Sequence, residues 1–326
     1  MYLKDLKFSL WADFIERDYL DKEFKELIDK KIINGATSNP AIFKNAILSS
    51  NAYKEQLSTL KSLSSKDKYE AVAIYDIQKA ADILKPLYEA GDDGYVSIEV
   101  DPFLCDDADA TIKEGERLYE RIGRKNVMIK IPATKAGYIA MRSLTSKGIP
   151  VNATLIFKKQ QAISCAKAFK EGIQEFGTNV DTVISVFVSR IDRALDDILE
   201  KAKVQRALSG IYNSAEIYEA VEKMGVKGCR VLFASTGVKD DTLPQHYYIE
   251  KLLAYNSVNT APVDTIKAYD ANGSKIASLP ISQEKIREHF EAIKLLGIDF
   301  DAILDKQIED GLKSFKDAFQ EILESL

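Results

Sequence analysis

From residue 71 to residue 101 the chain reads AVAIYDIQKAADILKPLYEAGDDGYVSIEVD. Its first part repeats apolar residues at helical spacing, Ala71, Ile74, Ile77, Ala81, Leu84 and Leu87, and stops at Gly91-Asp92-Asp93-Gly94. A short β-rich run, Tyr95–Asp101, follows at once. A helical stretch that breaks at a glycine turn and feeds a strand is part of a βαβ unit, and the same alternation recurs along the chain.

Working outward, eight β-rich runs can be read: Phe8–Asp13, Gly35–Thr37, Tyr95–Asp101, Val127–Ile131, Pro150–Ile156, Val183–Val188, Arg230–Ser235 and Asn256–Thr260. The second and the eighth carry little signal alone. Strands separated by helices pair in parallel through crossovers. Eight repeats predict a closed (β/α)8 TIM barrel of the α/β class. An open doubly wound sheet is disfavoured, because no GxGxxG follows the first run and no composition break divides the chain. Residues 1–326 are therefore read as one barrel domain. Two additions enlarge it: an extra helical stretch between Asn45 and Leu63, and a C-terminal helical extension. In that extension Leu304, Ile308, Leu312, Phe315, Phe319 and Ile322 mark one face of a long final helix, expected to pack on the barrel near its mouth.

With 46% hydrophobic and 29% charged residues, the composition is that of a globular enzyme. A formal charge of −5 argues against a nucleic-acid binder that relies on its overall field, so any phosphate site has to be a local pocket. Cys105, Cys165 and Cys229 form no CxxC pair, and His246 and His289 cannot assemble a His-rich metal site. Neither a zinc site nor a disulfide framework is expected. The opening MYLKDLKFSLWADFIERDYL lacks the features of a signal peptide, and nowhere do eighteen apolar residues run together; the expectation is a cytoplasmic protein without a membrane segment.

The fourth run, Val127-Met128-Ile129-Lys130-Ile131-Pro132, places a lysine inside an apolar stretch. Burying an ammonium favours the neutral amine, which is the nucleophile that imine formation needs. The ordinary alternative is a strand-end lysine whose head reaches water. In a parallel barrel the groups that do chemistry gather at the C-terminal ends of the strands, so the polar residues there are read together. The first run ends in Asp13, and the second in Thr37-Ser38-Asn39-Pro40. The third carries Glu99 and Asp101, and the fifth carries Asn152 and Thr154.

Each has a bland reading too: Asn39 or Asp13 could cap a helix, and Thr154 is a good strand former. A carboxylate within Val-Ser-Ile-Glu-Val is harder to dismiss, because Glu99 needs a polar partner. Lys130 on the adjacent strand would supply one. The sixth run leads into Arg190 and the seventh into Ala234-Ser235-Thr236-Gly237-Val238-Lys239, a combination that suits a phosphate monoester. An arginine opening a helix beside Asp192 and Arg193 is equally an ordinary solvated pattern.

Two of these stretches carry a resemblance. Gly35-Ala36-Thr37-Ser38-Asn39-Pro40-Ala41-Ile42-Phe43 is similar to the first transaldolase signature, and Val127 to Thr134 resembles the second, which contains the Schiff-base lysine. The intervening Ser97 to Asp101 and the later Val151 to Leu155 and Phe187 to Arg190 fit the same order, over about the first three-quarters of the chain. The resemblance implies a barrel of the class I aldolase type. Its reaction moves a dihydroxyacetone unit between sugar phosphates in the non-oxidative pentose phosphate pathway, from sedoheptulose 7-phosphate to glyceraldehyde 3-phosphate, giving erythrose 4-phosphate and fructose 6-phosphate. By that similarity Lys130 attacks the ketose carbonyl, Glu99 and Thr154 hold a proton-shuttling water, and Asp13 takes the C4 hydroxyl proton. Asn39, Asn152 and Ser185 hold hydroxyls of the three-carbon unit, and Arg190 grips the phosphate. No metal or organic cofactor is implied, since the protonated imine is itself the electron sink. A homodimer is an expectation of the resemblance alone.

One departure stands out. The better-known branch has Ala-Ser-aromatic-Arg after the seventh strand; this chain resembles another branch with Ala-Ser-Thr-Gly-Val-Lys, so Ser235 carries over and Lys239 is inferred to replace the missing charge. Three alternatives compete. Fructose 6-phosphate aldolases of the same superfamily resemble a shorter chain, with Gln in place of Glu99 and Tyr in place of Phe187. A sugar-phosphate isomerase on this fold would use Glu99 as base without a covalent intermediate. A silent barrel acting as a scaffold is the third.

Overall fold

The computed structural model describes residues 2–239 and 242–326. All eight expected runs form strands, their ends within two residues of the expectation: β1 Ser9–Ala12, β2 Gly35–Thr37, β3 Tyr95–Glu99, β4 Val127–Pro132, β5 Val151–Ile156, β6 Thr182–Phe187, β7 Cys229–Ala234 and β8 Val258–Ala261. They close in sequence order into a parallel barrel, β8 pairing with β1. The helix expected before β3 spans Ser65–Glu89 and buries Ile74, Ile77, Ala81 and Leu84.

Strand residues alternate between two environments, as the two-residue period requires. Val96, Ile98, Val127, Ile129, Ile131, Val151 and Ala153 join the apolar layer shared with the helices. Trp11, Tyr95, Met128, Val183, Leu232 and Val258 form a second buried cluster that fills the lower barrel. Trp11 comes so close to β2 that a Cβ on Gly35 would lie 2.6 Å from its ring, so the weakest of the expected strands owes its glycine to the largest core side chain. The indole Nε1 donates to Asp93 at 3.0 Å, and Arg230 donates to the same carboxylate at 2.7 Å.

The added helical stretch is a helix Pro40–Ser49, a 3-10 turn Asn51–Tyr53 and a short helix Lys54–Thr59. The final helix runs Phe300–Ser325; of its expected apolar face, Leu304, Phe315, Phe319 and Ile322 are buried, while Ile308 and Leu312 are half-buried. Leu304 and Phe315 pack with Leu155, Phe157 and Phe187 at the top of the barrel. Phe319 meets Tyr69 edge-on at 5.1 Å. Lys44 bonds Glu321 at 2.9 Å and Lys158 pairs with Asp305 at 2.7 Å, but such half-exposed pairs add little beside the buried apolar contacts. Among the described residues no helix is long and apolar enough to cross a membrane.

Candidate active site

Parallel register sets Glu99 of β3 opposite Lys130 of β4, and Lys130 opposite Asn152 of β5. Lys130 is 5% exposed; its Nζ donates to the backbone carbonyl of Ser38 at 3.1 Å and lies 3.9 Å from Glu99 Oε2. The Lys130 head therefore stays inside the barrel and does not reach out to water. Asn152 links two neighbours: its amide donates to Ser97 Oγ at 3.3 Å, and its carbonyl oxygen accepts from Ser185 Oγ at 2.6 Å. A chain of hydrogen bonds thus crosses β3, β5 and β6 around the lysine.

Glu99 is buried, and neither carboxylate oxygen has a hydrogen-bond partner. Burial is the main reason its pKa is pushed up to about 8; Lys130 pulls it down and the negative Asp13 pushes it further up. Thr154 Oγ1 is likewise buried and unpartnered. Buried polar atoms without protein partners are uncommon and mark places where water or a ligand completes the bonding.

Asp13 follows the end of β1. Thr37 Oγ1 donates to its Oδ1 at 2.7 Å, and Thr37 Oγ1 is also 2.6 Å from Thr260 Oγ1. Since the single Thr37 proton is spent on the carboxylate, Thr260 must donate to Thr37. Asp13 does not cap the next helix: Glu16 does, accepting from Tyr19 N at 2.9 Å. Asn39 has both roles, because its side chain caps the Pro40 helix through Ile42 N at 3.0 Å while it also lines the cleft.

That cleft, about 140 Å³, is bounded by Asp13, Asn39, Lys130, Ser185, Arg190 and Ser235, among others. The Arg190 guanidinium lies 5.1 Å from the centre of the Phe187 ring. Burial and nearby Arg193 hold its pKa below the usual arginine range, partly offset by Asp13 and Asp310. Ser235 Oγ is 3.2 Å from Ser189 Oγ. Lys239 is not brought to this group: it is exposed and outside the cleft lining, while its neighbour Val238 turns into the core. Sequence reading had Thr37 among the strand-end polar residues but missed Thr260 and Ser97 as partners of the site, together with Ser314 and Phe315, which close the cleft from the final helix. Thr260 and Ser97 could have been found by extending the strand pattern; Ser314 and Phe315 have no local signal. A larger hollow of about 450 Å³ at the opposite end of the barrel is lined by Asp93, Tyr95, Asp181 and Arg230. There Arg230 pairs with Asp93 and Tyr95 donates to Asp181, so the polar groups satisfy one another.

A closed parallel barrel with a buried lysine and facing carboxyl at the C-terminal ends of its strands defines a β/α-barrel enzyme. A family profile described as Transaldolase/Fructose-6-phosphate aldolase matches residues 10–326. A protein named transaldolase from Campylobacter jejuni strain RM1221 is 46% identical over 330 aligned residues, covering 98% of this chain and 99% of that protein. One of the same name from Helicobacter pylori strain Shi470 is 42% identical over 320 aligned residues, with coverage of 98% and 99%. The chain belongs to the transaldolase/fructose-6-phosphate aldolase family.

Proposed function

We propose that this chain is a transaldolase that transfers a dihydroxyacetone unit between sugar phosphates through a Schiff base on Lys130. The observation that carries the reading is the buried Lys130 beside a carboxyl whose proton affinity is raised into the neutral range. Full-length similarity to proteins named transaldolase supports the transfer over simple cleavage. Cytoplasmic sugar-phosphate exchange, the non-oxidative pentose phosphate pathway, is the setting that this activity implies.

The Lys130 amine attacks the ketose C2 carbonyl to give a carbinolamine, which loses water to form the imine. Glu99 and Thr154, whose buried side-chain oxygens have no hydrogen-bond partner among the described residues, are the groups suited to hold the water that carries these protons. Asp13, steadied by Thr37, takes the C4 hydroxyl proton; the C3–C4 bond breaks and its electron pair passes into the iminium, leaving an enamine on Lys130 and a free aldehyde. A second aldehyde reverses the sequence. Asn152 and Ser185 offer polar atoms to the hydroxyls of the three-carbon unit, Asn39 borders them, and Arg190 with Ser235 faces the phosphate.

The test is borohydride reduction in the presence of fructose 6-phosphate, read by mass spectrometry on the native chain and on Lys130→Met. A reduced three-carbon adduct on Lys130 of the native chain alone is expected, and in turnover fructose 6-phosphate with erythrose 4-phosphate as acceptor should give sedoheptulose 7-phosphate and glyceraldehyde 3-phosphate. No adduct on a folded native chain, under conditions that trap a control aldolase, overturns the covalent mechanism.

A further inference from the structure

The final helix shapes the cleft in a way the strand ends do not. Arg190 makes no hydrogen bond or ion pair with the described residues; its guanidinium lies against the Phe187 ring and beside the final helix at Gly311, with Arg193, Asp13 and Asp310 near enough to act on its charge. A Cβ on Gly311 would stand 3.6 Å from Arg190 Nη1, and 2.9 Å and 3.7 Å from the two terminal carbons of Leu155. Gly311 lies in the middle of the Phe300–Ser325 helix with no left-handed backbone to explain a glycine. Glycine there costs the helix about 1 kcal/mol relative to alanine, so the contact is the reason for it.

Leu155 itself is buried and sits with φ at 58°, a conformation that β5 adopts where its register with β6 shifts. Leu155 and the helix thus meet beside the arginine: a Cβ on Gly311 would push aside the flexible tip of Leu155 and stand at ordinary contact distance from Arg190, and anything larger would press on the guanidinium. Three residues further on, on the same side of the helix, Ser314 lines the cleft, with Phe315 next to it. Lys239 is outside the lining, so Arg190 and Lys130 are the cationic side chains among the residues that line this cleft.

We propose that Gly311 is a positioning residue for the phosphate-facing Arg190, and that Ser314 on the same helix is a further contact for the phosphate of the sugar. This rests on the transaldolase reading above. The close approach of the helix at Gly311 holds the guanidinium on the cleft side, where its donors are free for phosphate oxygens. The Ser314 hydroxyl adds a donor from the helix to the same cleft.

The experiment compares native protein, Gly311→Ala, Gly311→Val, Ser314→Ala, Arg190→Ala and the Gly311→Val/Arg190→Ala pair. Steady-state constants are taken with fructose 6-phosphate as donor, and borohydride trapping is measured with phosphate-free dihydroxyacetone. Displacing one charged hydrogen-bonding group should raise KM for fructose 6-phosphate roughly tenfold or more in Gly311→Val, with a smaller rise in Gly311→Ala and Ser314→Ala. In each, kcat and the rate of dihydroxyacetone trapping stay near native. In the Arg190→Ala background Gly311→Val adds nothing further, as expected for two residues acting through one group. Equal losses with phosphorylated and phosphate-free substrates, or a full additional effect without Arg190, overturn the inference. Should Gly311→Val fail to fold, Gly311→Ala carries the same comparison, since its Cβ meets only the flexible tip of Leu155 within 3 Å; an unchanged KM there also overturns it. Native protein that forms no adduct with either sugar contradicts the transaldolase reading instead.

Discussion

Replacing Glu99 by glutamine tests the electrostatics of the cleft directly. In the folded chain the carboxyl is raised from 4.5 to about 8, chiefly because burial penalises its charge, with Lys130 opposing and Asp13 adding to the rise. Between those two values the folded state holds a proton that the unfolded state has released. Stability from this group is therefore fully present below about pH 4.5, falls as pH rises, and levels off above about 8. With each tenfold change in proton affinity equal to 1.36 kcal/mol, the loss is roughly 3 kcal/mol at pH 7 and roughly 5 kcal/mol at the alkaline end. Glutamine keeps the shape and cannot ionise, so Glu99→Gln should gain on the native protein by roughly 4 kcal/mol between about pH 5 and pH 9. Urea unfolding across that range measures it. A difference that does not change with pH, or a native protein that gains as pH rises, would refute the argument that burial outweighs the Lys130 charge. The same variant should turn over roughly a hundredfold or more slowly, having lost a proton carrier.

Other perturbations follow from the packing of the helices. Arg17 donates to Asp76 at 3.0 Å and lies 4.7 Å from the ring centres of both Tyr53 and Tyr75. Arg17→Ala strands the buried Asp76 carboxylate and should cost about 3–5 kcal/mol near pH 8. Burial already raises the Asp76 pKa, so protonation relieves the penalty and the deficit in urea unfolding should shrink at pH 5. Phe319, 2% exposed against Tyr69, anchors the final helix. Phe319→Ala should cost about 3–5 kcal/mol and speed hydrogen exchange in residues 300–326 more than in β4 and β5.

The barrel was legible because its evidence is local. Helical spacing that stops at Gly91 to Gly94, and β-rich runs that end in polar residues, are written in adjacent positions of the chain, and all eight runs became strands. Even β2, three residues long, was placed correctly, although the reason for its glycine is a tryptophan 24 residues earlier. Lys130, Glu99, Asp13 and Asn152 converge because their places on neighbouring strands follow from the strand reading, whereas Ser185, which bonds Asn152, was implied by the resemblance alone. Lys239 did not join them. The turn after β7 directs Val238 inward, and whether a loop side chain faces the cleft depends on backbone angles that residue spacing does not encode.

By itself the amino-acid order determined the number of strands, their succession, and the buried lysine with a carboxyl on the next strand, since these depend on periodicities of two and about four residues. Only the tertiary structure decided that the side-chain oxygens of Glu99 and Thr154 have no hydrogen-bond partner among the described residues, that Thr260 reaches Thr37 across the closing seam, and that Gly311 lies beside Arg190. Those facts depend on how much water is excluded and on which distant segments touch. Barrel closure sets them: it joins β8 to β1 and lays the last helix over strands that precede it by more than a hundred residues.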